Sequence, residues 1–120
     1  MYNQMVAQRD EREELSDAEV DRVFQALAAA TRRDILRRTI DREQSVSELA
    51  SEYDMSFAAV QKHVAVLEAA HLIVKRAEGR ERLVRANPEM IARARALLAH
   101  YEALWRGRVD RLDALLAENP

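Results

Sequence analysis

From Ser16 onward the apolar residues fall at helical spacing. Val20, Val23, Phe24, Leu27 and Ala28 occupy positions i, i+3, i+4, i+7 and i+8, behind a Ser16/Glu19 pair that fits a capping box. The pattern predicts an amphipathic helix. It restarts at Thr31, read as an N-cap with Asp34 at N3, and Ile35, Leu36 and Ile40 form the buried stripe of a second short helix. Ser45 and Glu48 repeat the capping-box spacing, and Val46, Leu49, Ala50 and Tyr53 keep helical phase for about two turns until Asp54 and Met55 interrupt it. Ser56 then caps a helix with Phe57, Val60, Val64 and Leu67 on one side. Two short capped helices joined by a tight turn predict a helix-turn-helix over Ser45 to Ala70. Opposite the apolar side, Ala58, Lys62, Ala65 and Ala69 point outward, flanked by Ala59 and Gln61. Small residues let such a helix approach a groove floor closely; Gln can pair with adenine, and Lys with guanine or phosphate.

After His71 the period becomes extended. Leu72 to Ala77 and Glu81 to Ala86 read as two strands around Glu78-Gly79-Arg80, with Gly79 available for a positive φ. A basic hairpin directly after a helix-turn-helix is a wing. Asn87 and Pro88, at N-cap and N1, open a long final helix to about Glu118. Ile91, Leu98, Trp105 and Leu112 recur along it every seven residues, widened by Ala94, Leu97, Tyr101, Leu104 and Leu115. Such a stripe exceeds what one small core can cover, so packing against a second copy is expected. In that C2 dimer Val20, Phe24, Ile91, Leu98, Tyr101, Trp105 and Leu112 supply the contacts, with the first helix contributing. The competing arrangement folds the stripe back onto its own core. Gly107, inside the helix, marks a bend or a close crossing.

Composition narrows the classes. With 120 residues, the chain suits one core, and only two glycines and two prolines favour helices over a β-sandwich. The fold class is therefore mainly α with a small β-hairpin: five helices plus wing, in the order ααααββα, dimeric. Residues 1–15 read as a flexible acidic tail and 16–118 as a single domain that includes both dimerisation helices. Cys is absent, which removes disulfides and thiolate metal sites and fits a reducing cytosol. No stretch suits a signal peptide or a membrane span, so a cytoplasmic protein is expected.

The net charge of −2 argues against nucleic acid until its distribution is examined. Residues 9–21 carry two basic against seven acidic side chains, whereas residues 75–85 carry Lys75, Arg76, Arg80, Arg82 and Arg85 against only Glu78 and Glu81. Such segregation offers phosphate a basic face while the whole chain stays slightly acidic.

These strings together resemble the ArsR-type family of dimeric winged helix-turn-helix regulators: FQALAAATRRDIL (24 to 36), SVSELASEYDMS (45 to 56), VQKHVAVLEAAHLI (60 to 73) and EGRERLVRANP (78 to 88). HYEALWRGRVDRL (100 to 112) is similar to a subgroup with a Trp-containing last helix. Three departures are visible. Ala29 and Ala30 replace the usual Asp-Pro, Gln61 replaces a common Ser, and His71 stands where Gly is usual. The resemblance implies a homodimeric repressor that places helix 56–70 in the major groove and hairpin 72–86 as wing. It carries DNA contact onto Ser56, Ala58, Gln61, Lys62, His63, Arg80 and Arg82 of this sequence. For His63, a phosphate donor and a structural histidine are equal readings. Capping and an internal ion pair explain Thr31, Arg32 and Arg33 as well as phosphate contact does. Many relatives sense metals; here His100 with Glu102, Asp110 and Asp113 is thin material for a site, so no metal and no cofactor are expected, and the effector is left open. A winged-helix protein-interaction module without DNA binding is the alternative. An enzyme is disfavoured, because no phosphate loop and no nucleophile with a base are present.

Overall fold

The computed structural model describes residues 14–118. The acidic tail expected over residues 1–15 falls almost wholly outside that range. Five helices and three strands follow in the order α1 (Asp17–Leu27), α2 (Ala30–Asp41), β1 (Gln44–Ser45), α3 (Val46–Ser51), α4 (Phe57–Ala69), β2 (Ile73–Glu78), β3 (Glu81–Ala86) and α5 (Pro88–Glu118). No helix among the described residues is long and apolar enough to cross a membrane.

Local chemistry explains most helix starts. Both capping boxes form: Ser16 accepts from the Glu19 N–H at 3.2 Å while Glu19 accepts from the Ser16 N–H at 2.9 Å, and Ser45 with Glu48 does the same at 3.0 and 3.2 Å. The start of α2 differs from expectation. Its N-cap is Ala29, which has no side chain to cap with, and Thr31 lies inside the helix. Asp34 serves another purpose: its carboxylate accepts from Tyr53 Oη, Arg37 and Arg38. Those bonds, the one from Tyr53 foremost, hold its carboxyl well below the usual carboxylate range. Burial and the Asp34 carboxylate push the Tyr53 hydroxyl up to about 12. The cluster staples α2 to the end of α3, with the Arg38 guanidinium 5.8 Å from the Tyr53 ring centroid.

Val23, Ala26, Ile35, Leu49, Val60, Val64, Leu67, Leu72 and Val84 form the buried centre, with Met90 closing it from α5. Two positions expected inside are outside: Ile40 is 59% exposed and Phe57 is 47% exposed. In α2 the inward position after Ile35 is taken by Thr39, whose hydroxyl donates to the Ile35 and Leu36 carbonyls and so is buried with its polar group satisfied.

The hairpin carries a third strand that periodicity did not announce. β1 pairs antiparallel with β3, Gln44 opposite Val84 and Ser45 opposite Leu83, giving the sheet order β1-β3-β2. Ser45 therefore ends a strand and caps α3 at once. In β2 and β3, Glu78 faces Glu81 across a two-residue loop. Gly79, at φ +61, is the one loop residue there with positive φ, the pattern of a II′ hairpin turn. At the other end of the wing, α4 finishes in a Schellman motif: Leu72 N–H donates to the Leu67 carbonyl and His71 N–H to the Glu68 carbonyl. His71 sits at the left-handed position, φ +60, that glycine ordinarily fills.

Candidate nucleic-acid interface

The capping box at Ser45 sets the direction of α3, and Ser56, accepting from the Ala59 N–H at 3.1 Å, sets that of α4. Burial of Val60, Val64 and Leu67 then fixes the roll of α4 about its axis. Ala58, Gln61, Lys62, Ala65 and Ala69 are exposed on the other side, and Ala59 and His63 lie half-buried at its margins. Ser56 stands exposed at the amino end of the same face. Phe57, expected on the apolar side, is instead exposed beside that end.

His63 is held from behind. Arg32 on α2 places Nη1 3.2 Å from His63 Nδ1, while its Nε and Nη2 donate to the Ala26 and Gln25 carbonyls at 2.8 and 2.9 Å. Arg33 donates to the Leu27 carbonyl. Both arginines thus cap the carboxyl end of α1, and neither bonds a carboxylate among the described residues. The internal ion pair allowed for them is replaced by carbonyl capping, because α2 starts directly after α1 and brings its first turn against the carbonyls at the end of α1.

On the wing the five basic residues divide into two groups. Lys75 pairs with Glu68 of α4 at 3.3 Å, and Arg76 pairs with Glu43 through two bonds of 2.8 and 3.1 Å and with Glu78 at 3.1 Å. The Arg76 guanidinium holds the Glu43 carboxyl below its ordinary range. These contacts anchor the sheet to its neighbours. Arg80, Arg82 and Arg85 are exposed and carry no ion pair among the described residues. The free positive charge of the hairpin is therefore at Arg80 and Arg82, since Arg85 also lies in the field of the Glu43 carboxylate.

α5 begins on the core and leaves it. Ile91 and Ala94 pack against the buried cluster, and Arg93 reaches Glu19 at 4.0 Å and the Glu14 carbonyl at 3.2 Å. Farther on, Leu98, Tyr101, Leu104, Trp105, Leu112, Leu115 and Leu116 are between 49% and 71% exposed. Phe24 of α1 is 45% exposed and Val20 is half-buried. The stripe does not fold back on its own core, and the helix runs unbroken through Gly107. Among the described residues, no group of three or more His, Asp or Glu is placed to hold a metal ion.

Comparison with known proteins adds to this geometry. A family model described as a helix-turn-helix domain matches residues 22–76. The HTH-type transcriptional regulator Rv2034 of Mycobacterium tuberculosis is 37% identical over 81 residues, which cover 68% of this chain and 76% of that protein. Among solved structures, an ArsR-like transcriptional regulator from Rhodococcus sp. RHA1 is 32% identical with a TM-score of 0.74, covering 82% of this chain and 92% of that one. The crystal structure of an ArsR family transcriptional regulator, RHA00566, is 33% identical with a TM-score of 0.72, covering 78% of this chain and 96% of that one.

Proposed function

Because the chain belongs to the ArsR-type family of winged helix-turn-helix transcriptional regulators, we propose that it acts as a homodimeric repressor that reads an inverted-repeat operator with α4 and braces it with the wing. The observation that carries this reading is that Gln61 and Lys62 stand exposed on α4 while the hairpin that follows it carries Arg80 and Arg82 exposed and without an ion pair among the described residues. Ala58 and Ala65 leave room for close approach to a major groove, and Gln61 and Lys62 are the side chains long enough to reach base edges. Ser56 sits where a helix amino end meets phosphate. Arg80 and Arg82 reach the flanking backbone or minor groove, and His63 donates to phosphate from the edge of the face.

Residues 16–118 act as one unit. The exposed stripe of α5, joined by Phe24 and Val20, packs on its symmetry mate, and two-fold symmetry places the two α4 helices in successive major grooves about 34 Å apart or a small multiple of that. In this reading the protein works in the cytoplasm and carries no catalytic role, and, unlike its metal-sensing relatives, it takes no metal, having one histidine on α5 among scattered carboxylates. Calorimetric titration with Zn, Ni or Co is expected to show no stoichiometric tight binding.

The test is operator binding. Affinity for an inverted-repeat duplex, obtained by selection from genomic fragments, falls steeply with salt, and Lys62→Ala or Arg80→Ala each lowers both the affinity and the salt slope, the latter by about one for each phosphate no longer neutralised. Binding indifferent to salt and to both substitutions would leave the interaction-module alternative in its place.

A further inference from the structure

Arg32 lies at a junction that DNA binding through α4 and the wing does not by itself require. Its guanidinium closes the carboxyl end of α1 through the Gln25 and Ala26 carbonyls and extends Nη1 to His63 Nδ1 on α4. A guanidinium has only donors and stays charged at any working pH. The nitrogen that faces it must offer a lone pair. With Nδ1 accepting, the single proton of a neutral imidazole belongs to Nε2. Nε2 is also the ring nitrogen left over: it has no hydrogen-bond partner among the described residues, and it is not one of their buried orphans, since Gln44 Oε1 alone answers that description.

We propose that Arg32 is a positioning residue for operator binding, fixing the ring orientation and tautomer of His63 so that Nε2–H is presented as a donor to a DNA phosphate. The inference rests on the repressor reading above. The opposite tautomer would aim a lone pair at an anion, and a ring free to rotate would lose entropy on binding; the Arg32 contact removes both costs before DNA arrives. Because the same guanidinium grips α1, which carries Phe24 and Val20, the donor is held in register with the helix assigned to the dimer.

Two measurements on the full chain test this. In the free protein, long-range proton–nitrogen correlation spectra of 15N-histidine at mildly alkaline pH show His63 as the Nε2–H tautomer, and Arg32→Lys converts it to a mixture; an Nδ1–H tautomer in the parent overturns the proposal. For operator affinity, Arg32→Lys weakens binding about tenfold, the scale of one charge-assisted hydrogen bond. His63→Gln, whose amide places an N–H near the Nε2 position but is not oriented by Arg32, recovers only part of the affinity that His63→Ala loses. In that background Arg32→Lys has little further effect. A full tenfold loss from Arg32→Lys in the His63→Gln background refutes the positioning role while leaving the repressor reading intact. Absence of salt-dependent binding by the parent protein sinks the repressor reading itself. Should Arg32→Lys fail to fold, His63→Asn decides the matter: it keeps an acceptor for Arg32 but lacks the distant donor, so it binds severalfold more weakly than His63→Gln, and equal affinities of the two refute the proposal.

Discussion

Trp105→Ala removes the largest side chain of the α5 stripe, and its consequence follows from exposure. Trp105 is 61% exposed within the protomer, with the Arg108 guanidinium 5.9 Å from its ring centroid. For a side chain that can bury roughly 250 Å², this leaves roughly 150 Å² available to a partner. If half of that is covered in the dimer, about 25 cal/mol per Å² gives about 2 kcal/mol per protomer. Two-fold symmetry counts every such surface twice, so the dimer loses about 4 kcal/mol, close to a thousandfold in Kd. The fold of each protomer should survive, because Trp105 lies beyond the part of α5 that packs on the core, where Met90, Ile91 and Ala94 make the contacts. Sedimentation equilibrium over a nanomolar to micromolar series checks this, with thermal melting as the control for folding. The parent sediments as a dimer at micromolar concentration and Trp105→Ala shifts toward monomer. A parent that is monomeric at micromolar concentration, or a variant with unchanged Kd, would refute the assignment of α5 to the dimer.

Other predictions concern stability. His71→Gly relieves a left-handed residue that is not glycine; the relief outweighs the added freedom of the unfolded chain by about 0.5 kcal/mol, read as a rise of a few degrees in Tm. Gly79→Ala meets no steric contact, so only its positive φ opposes it, and a loss of about 1 kcal/mol in a denaturant titration is expected. Tyr53→Phe leaves Asp34 with its arginines but without the phenol, costing about 1–2 kcal/mol near neutral pH. The pH dependence of that cluster has two arms. Asp34 has a depressed folded pKa, so its contribution is present above about pH 4 and is lost as pH falls below that value. Tyr53 has a raised one, so its contribution is present below about pH 10 and is lost as pH climbs toward 12. Urea titrations across pH should show the alkaline loss in the parent and not in Tyr53→Phe.

Much of the architecture is legible in the chain, and the reason is range. A capping box involves residues three apart, a helical stripe residues three and four apart, and a hairpin turn two residues between paired strands, so Ser16, Ser45, Ser56 and Gly79 announce their roles locally. Which side of α4 faces outward follows from the same periodicity. Partners remote in the chain are another matter. Asp34 reads locally as a helix-dipole residue, yet Tyr53, 19 positions later, takes it into a hydrogen-bonded cluster. β1 is two residues long, too short for any periodicity, and exists because β3 offers it an edge. The +3 charge counted along residues 75–85 overstates the hairpin, since Glu43 and Glu68 come from outside it to neutralise Arg76 and Lys75. Arg32 reads as a motif residue until α1 and α4 converge on its guanidinium. The elements, their polarity and the side each presents are thus written in the order of residues, because they depend on neighbours within one or two turns. Which charges stay free and which way His63 is held emerge only on folding, because they depend on which groups from distant segments reach a charge first and spare it from water.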